Sequence, residues 1–167
     1  RVGRCTACKT CELACAVEHS ESKDLYAAIA EVPAPCSRVS VEQGPGFAAP
    51  LQCRQCEDAP CVTVCPTQAL HRANLDSPVT IDHELCIGCR NCVLACPFGV
   101  IRMDNQSHAI VKCDQCAERL DRGELPACVS ACPTDALEYR DLEDVTADKR
   151  RAYLVTVEKS MASGVAS

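Results

Sequence analysis

Four short runs of cysteine carry the chemistry of this sequence. The first, "CTACKTCELAC", holds Cys5, Cys8, Cys11 and Cys15, and the second, "CRQCEDAPCVTVCP", holds Cys53, Cys56, Cys61 and Cys65. The third, "CIGCRNCVLACP", holds Cys86, Cys89, Cys92 and Cys96; the fourth, "CDQCAERLDRGELPACVSACP", holds Cys113, Cys116, Cys128 and Cys132. They use sixteen of the 17 cysteines in 167 residues, and an odd total already speaks against a closed set of disulfides. Every run ends in CxxxC, while the gap before that ending widens by two residues in the second run and opens to eleven in the fourth. A shared ending behind a variable middle marks an internal repeat of one ligand-presenting unit. Thiolates spaced this way hold the irons of 4Fe-4S clusters, and sixteen of them supply four apiece for four such clusters. Zinc is the rival metal, because CxxC pairs also build zinc ribbons. The tight triads and the proline after three of the four endings favour iron and sulfide, and colour separates the two, since a zinc protein has none.

Helical turns and short strands must present these ligands. Proline follows the last cysteine in "CPTQALHR", "CPFGVIRMD" and "CPTDALEYR", fixing the backbone as the chain leaves each site, and a β-prone stretch comes next. With "PVTID" before Cys86 and "HAIVK" before Cys113, the pattern predicts hairpins flanking a helical turn. The first run departs from this, since alanine follows Cys15 and 37 residues intervene before Cys53. There "SKDLYAAIAE" predicts a short helix capped by Ser22, "SRVSVEQ" alternates as a strand, and "GPG" turns the chain. In the widened fourth run, "AERLDRGELPA" predicts a helix ending near Gly123 and a turn. Past residue 140 the cysteines stop. Residues 141–167 predict a C-terminal helix capped by Thr146, carrying Ala152, Leu154, Val155 and Met161, and a frayed tail, set apart from a four-cluster domain at 1–140.

The third run resembles the bacterial ferredoxin pattern CxxCxxCxxxCP, and the repeated unit is similar to the two-cluster ferredoxin fold. That resemblance implies an α+β chain of two ferredoxin-like dicluster modules, loop-rich and organised around four 4Fe-4S clusters. Two-cluster ferredoxins exchange the fourth ligand between neighbouring runs. Pairing the second run with the third gives one set of Cys53, Cys56, Cys61 and Cys96 and another of Cys86, Cys89, Cys92 and Cys65. The outer runs then give Cys5, Cys8, Cys11 with Cys132, and Cys113, Cys116, Cys128 with Cys15. Pairing first with second and third with fourth stays open on spacing alone.

The order of the four runs, over residues 5 to about 140, resembles the four-cluster ferredoxin-like electron-transfer subunits of molybdopterin oxidoreductases, formate dehydrogenases and hydrogenases. That family implies the nested pairing. Within it, "CELACAVEHSESKDLYAAI" and "QCRQCEDAPCVTVCPTQAL" are most similar to the iron-sulfur subunit associated with carbon monoxide dehydrogenase. The resemblance implies no catalytic residues of its own and a hetero-oligomer in anaerobic metabolism. In it electrons pass singly from a catalytic oxidoreductase subunit, acting on carbon monoxide, formate or an aldehyde, to a second redox protein, a hydrogenase or a flavin-dependent nicotinamide reductase.

Composition agrees with this reading. Aromatic residues are 3% of the chain and tryptophan is absent, so the apolar core is thin for the length and ligation must supply folding energy. The formal charge of −6 omits the clusters; counting about −2 for each oxidised cube brings the total to roughly −14. Such a chain avoids nucleic acid and suits a partner with a basic docking surface. No apolar run approaches the roughly 20 residues a membrane span requires, and no direct membrane insertion is expected. No signal peptide is visible in a chain that opens at "RVGRC", and unbridged thiols point to the cytoplasm. Three blander roles compete with the relay: a freely diffusing carrier, clusters that only staple the fold, and an enzyme with one open iron site, which would need a cube short of a cysteine. Cys36 is left over as a loop thiol. His19, His71, His83 and His108 each stand apart from the runs. Lys112, Arg54 and Arg90 lie in or beside the motifs, where they either raise a cluster's potential or face solvent.

Overall fold

A computed structural model describes residues 1–74, 77–104 and 110–162. His108 and the frayed tail lie outside the described residues. The chain divides into two units, Arg1–Leu137 and Glu138–Ser167.

In the first unit every helix is tied to a cysteine run or to the insertion after Cys15. After a 3-10 turn at Val2–Arg4, α1 spans Thr10–Glu18 and α2 spans Leu25–Ala30. Short helices follow at α3 (Pro60–Thr63), α4 (Asn91–Ala95), α5 (Ala117–Asp121) and α6 (Ala127–Ser130). Proline explains the lengths of three of them. α3, α4 and α6 each stop before the last cysteine of their run, because the residue ahead of a proline is driven out of helical backbone. Cys15 has no such neighbour, so α1 continues three residues beyond it and presents Cys11 and Cys15, four apart, on one buried face.

Among the described residues, three antiparallel hairpins accompany these helices. β1 (Ser40–Gly44) pairs with β2 (Phe47–Leu51) across a Pro45-Gly46 turn, where Gly46 takes a φ of 81° that a side chain would resist. β3 (Leu70–His71) pairs with β4 (Thr80–Ile81), and β5 (Arg102–Met103) pairs with β6 (Ile110–Val111). These last two arise where a β-prone stretch after a CP ending meets a second one before the next run. The third such tail, Ala136–Arg140, forms no strand, because no β-prone stretch follows to pair with it; instead the N-terminal amine of Arg1 donates to the Ala136 carbonyl at 2.8 Å.

Among the described residues two separate apolar cores result. One gathers Leu70, Val79, Ile101 and Ile110 around Cys61 and Cys92, and α3 packs on α4 there. The other gathers Val39, Val41 and Ala48 around Cys11 and Cys15, with Cys128 against it and α1 packed on α6. The first core therefore joins runs two and three, and the second joins runs one and four.

Two caps differ from expectation. Asp24, not Ser22, caps α2, its carboxylate accepting from the amides of Tyr26 and Ala27 at 3.0 Å, while Ser22 only braces the Asp24 backbone. In the second unit α7 (Leu142–Ala162) begins four residues before Thr146, whose hydroxyl donates back to the Glu143 carbonyl inside the helix. Acidic Glu143 and Asp144 favour that earlier start through the helix dipole. Leu142, Tyr153, Leu154 and Met161 are exposed on this helix. α5 ends at Asp121, with Gly123 just beyond it at a φ of 73°, as its sequence predicts.

Candidate metal centre

The repeat read in the sequence is also a repeat of backbone conformation. In all four runs the residue just before the second cysteine is left-handed: Ala7, Gln55, Gly88 and Gln115, with φ of 57, 50, 66 and 61°. This curls each CxxC loop so that backbone amides turn toward the first sulfur; Gln55 and Gln115 donate to Cys53 and Cys113 Sγ at 3.4 Å. Three of these four residues are not glycine, so each conformation costs about 1–2 kcal/mol that the site must offset. A second left-handed residue follows each CP ending, at Gln68, Gly99 and Asp135. Their amides donate to the carbonyls of Cys65, Cys96 and Cys132 at 3.3, 3.2 and 3.3 Å, closing the same turn three times.

These loops bring thiols from different runs together. One cleft is lined by Cys53, Cys56, Cys61 and Cys96, with Val79, Phe98 and Ile101 around them. Another is lined by Cys65, Cys86, Cys89 and Cys92, with Leu70 and Ile110. In each, three thiols belong to one run and the fourth to its neighbour. Between runs one and four, Cys128 is pushed up to about 12 by burial first and then by the nearness of Cys15, Cys113 and Cys116. Burial likewise raises Cys113 to about 11, with Cys15 adding to it. The fourth-run Cys132 acts on both Cys8 and Cys11. None of the 17 cysteines is joined in a disulfide, and Cys8, Cys36 and Cys89 are exposed.

The donor sets fit an iron-sulfur group. Burial pushes Cys11, Cys61 and Cys116 up, and takes Cys92 to about 11, so on their own these thiols would hold their protons at neutral pH. Metal coordination deprotonates a thiol outright, which makes a crowded set of four stable where four bare thiolates would repel. The last sulfurs are prepared differently. Burial works to raise Cys65 and Cys132, but amides of the turn after each outweigh it and lower both, and the Ala136 amide reaches Cys132 Sγ at 3.3 Å. Burial opposes the same outcome at Cys15, where the His19 ring 3.7 Å away and the Arg38 amide at 3.2 Å prevail.

His19 is therefore not isolated, contrary to expectation. It stands four residues after Cys15, one helical turn on, and that spacing was the signal in the sequence. Its Nδ1 faces the Cys15 carbonyl at 2.7 Å and its Nε2 faces Asp114 Oδ1 at 3.2 Å, so both nitrogens donate as an imidazolium. Burial lowers this group, yet the bonds to Asp114 and Cys15 outweigh it and raise it to about 9. Asp114 also accepts from Arg38 Nη1 at 2.6 Å and from the Cys116 amide at 3.0 Å. Burial would raise the Asp114 carboxyl, but His19 and Arg38 hold it well below the usual carboxylate range. This carboxylate pins the insertion after Cys15 to the fourth run, a link no local pattern announces. Its stabilising effect is complete above the ordinary aspartate pKa of about 3.9 and is lost as pH falls toward the depressed folded value. Asp114→Asn is expected to lower stability at pH 7 by about 1.5–3 kcal/mol, read as earlier loss of visible absorbance on heating, with the gap to wild type closing below about pH 4.

Of the cations near the motifs, Arg54 and Arg90 are exposed, whereas Lys112 is 3% exposed. His71 and His83 are exposed, and Cys36 sits in a loop.

Residues 46–142 match the model of the 4Fe-4S dicluster domain, and residues 3–18 match a 4Fe-4S binding domain. The chain belongs to the 4Fe-4S dicluster domain family. It is 42% identical to the "Iron-sulfur protein" of Rhodospirillum rubrum over 170 residues, spanning 93% of this chain and 87% of that protein. It is 40% identical to the electron transport protein HydN of Escherichia coli strain K12 over 166 residues, covering 89% of this chain and 91% of HydN. It is also 41% identical over 152 residues to the thiosulfate reductase electron transfer subunit PhsB of Salmonella typhi, covering 84% of this chain and 73% of that subunit.

Proposed function

We propose that this chain is an electron-transfer subunit that relays single electrons through four 4Fe-4S centres, joining a catalytic oxidoreductase subunit to a second redox protein in a hetero-oligomer. The ligand sets are Cys5, Cys8, Cys11 with Cys132; Cys113, Cys116, Cys128 with Cys15; Cys53, Cys56, Cys61 with Cys96; and Cys86, Cys89, Cys92 with Cys65. The observation that carries the reading is the interleaving of runs, with two cavities each lined by three cysteines of one run and one of its neighbour. A four-iron centre held by four thiolates supplies one-electron redox change and leaves no coordination position open for a substrate.

The residues suggest an order for the four sites. α1 carries Cys11 of one set and Cys15 of the next, four residues apart. Gln55 Nε2 donates to the Cys113 carbonyl at 2.9 Å, tying the Cys113 set to the Cys53 set. Cys61 and Cys92 share one core, which ties the Cys53 set to the Cys86 set. The exposed ligands, Cys8 and Cys89, fall in the two outer sets, where partners come within reach. The names of HydN and PhsB support an electron-transport role, and PhsB supports a catalytic partner. Among the described residues no helix is long and apolar enough to cross a membrane. We assign the cytoplasm as its compartment and the carbon monoxide dehydrogenase-associated subunits as its subfamily, on the two stretches quoted for that resemblance.

Anaerobic purification from native cells tests this. A catalytic oxidoreductase is expected to copurify, and its substrate, carbon monoxide first among candidates, is expected to bleach the visible spectrum of this chain. A chain that purifies alone and exchanges electrons with many proteins would instead be a diffusing carrier.

A further inference from the structure

The two cavities of runs two and three are near copies in sulfur, but not in charge. Lys112 lines the Cys53, Cys56, Cys61 and Cys96 cavity and is the one charged side chain that is buried among the described residues. Its Nζ donates to the carbonyls of Val79 and Cys113 at 2.6 and 2.8 Å and lies 3.4 Å from Gln55 Oε1. Three oxygens match the three protons of an ammonium, yet none of them is a carboxylate, and none lies within ion-pair distance among the described residues. A buried cation without a counter-charge is strongly unfavourable, so an anion belongs beside it. Arg72 adds to the same side, its Nη2 donating to the carbonyls of Gln55 and Cys56 at 3.0 and 2.8 Å. The cavity of Cys65, Cys86, Cys89 and Cys92 has only Arg90, which is exposed and screened by water.

Resting on the four-centre reading, we propose that Lys112 is a positioning charge that sets the order of potentials within this pair: it holds the centre of Cys53, Cys56, Cys61 and Cys96 at a higher potential than the centre of Cys65, Cys86, Cys89 and Cys92. An added electron raises the negative charge of the centre it enters, and a fixed ammonium in a low-dielectric wall favours that state. The electron therefore rests preferentially on the inner centre of the pair, and the outer centre beside exposed Cys89 is the weaker acceptor.

Redox titration of the anaerobic, iron-loaded full chain, followed by electron paramagnetic resonance, tests this with Lys112→Gln and Lys112→Arg. Iron is counted first. Lys112→Gln is expected to keep its iron and to move one of the one-electron steps to more negative potential by at least tenfold in its equilibrium constant, about 59 mV. Lys112→Arg, which keeps the charge, is expected to restore most of that shift. Unchanged steps in Lys112→Gln with iron retained would overturn the proposal. If Lys112→Gln sheds iron, Arg72→Gln carries the test with a smaller shift of the same sign, and loss of iron from both would make these cations structural and end the proposal. Wild-type protein without iron would instead overturn the four-centre reading beneath it.

Discussion

Stripping the iron from the anaerobic protein is expected to unfold residues 1–137, with loss of both the cooperative thermal transition and the far-ultraviolet signal of its helices. The apolar cores cannot hold this unit. Its largest fully buried side chains are Leu70, Ile110, Val39 and Val79, worth about 1.5–3 kcal/mol each. Against them stands about 1–2 kcal/mol of backbone entropy for every residue ordered. Helices of four and five residues such as α3, α4 and α6 have no stability alone, and two-residue hairpins have little more. Both cores also count cysteine among their buried members, so removing the metal empties the centre of each. Ligation and folding are then one equilibrium. Chelation under reducing, oxygen-free conditions, followed by circular dichroism and a thermal scan, checks this, and a surviving cooperative transition would show a fold that stands without its clusters.

Pairs of cysteine substitutions are expected to reveal the exchange of fourth ligands through the iron count. If Cys96 serves the Cys53 set, Cys96→Ala combined with Cys53→Ala damages one centre and leaves about 12 of about 16 irons. Cys96→Ala combined with Cys86→Ala damages two centres and leaves about 8, although both residues lie in one run. Ligation confined within each run gives the opposite order. The outer runs are tested the same way: Cys132→Ala is expected to share its loss with Cys5→Ala, and to add to the loss from Cys113→Ala. The cavity linings motivate the first comparison. The action of Cys132 on Cys8 and Cys11 motivates the second. Iron and sulfide analysis of each anaerobically purified variant decides between them.

The sequence by itself determined the kind of group bound and the local shape of each site. Cysteine spacing is a short-range property, so "CIGCRNCVLACP" states its cluster of thiols, its helical turn and its stop without reference to the rest of the chain. The Pro45-Gly46 turn and the end of α5 near Gly123 were legible for the same reason. The starts of α2 and α7 differ from the Ser22 and Thr146 caps because several polar residues compete for each: the Asp24 carboxylate takes the first amides of α2, and acidic Glu143 and Asp144 in its first turn favour the earlier start of α7.

Tertiary structure alone decided what depends on contact between distant residues. Asp114 meets Arg38 across 76 positions, His19 meets Asp114 across 95, and Lys112 is buried against Val79 across 33. For a lysine in "IVKCDQC" the sequence leaves a tuning charge and a solvent-facing one both open, because burial is a property of what packs over it. Which cysteine runs face one another belongs to the same class, since spacing lists the thiols but only packing of α3 on α4 and α1 on α6 brings those runs together.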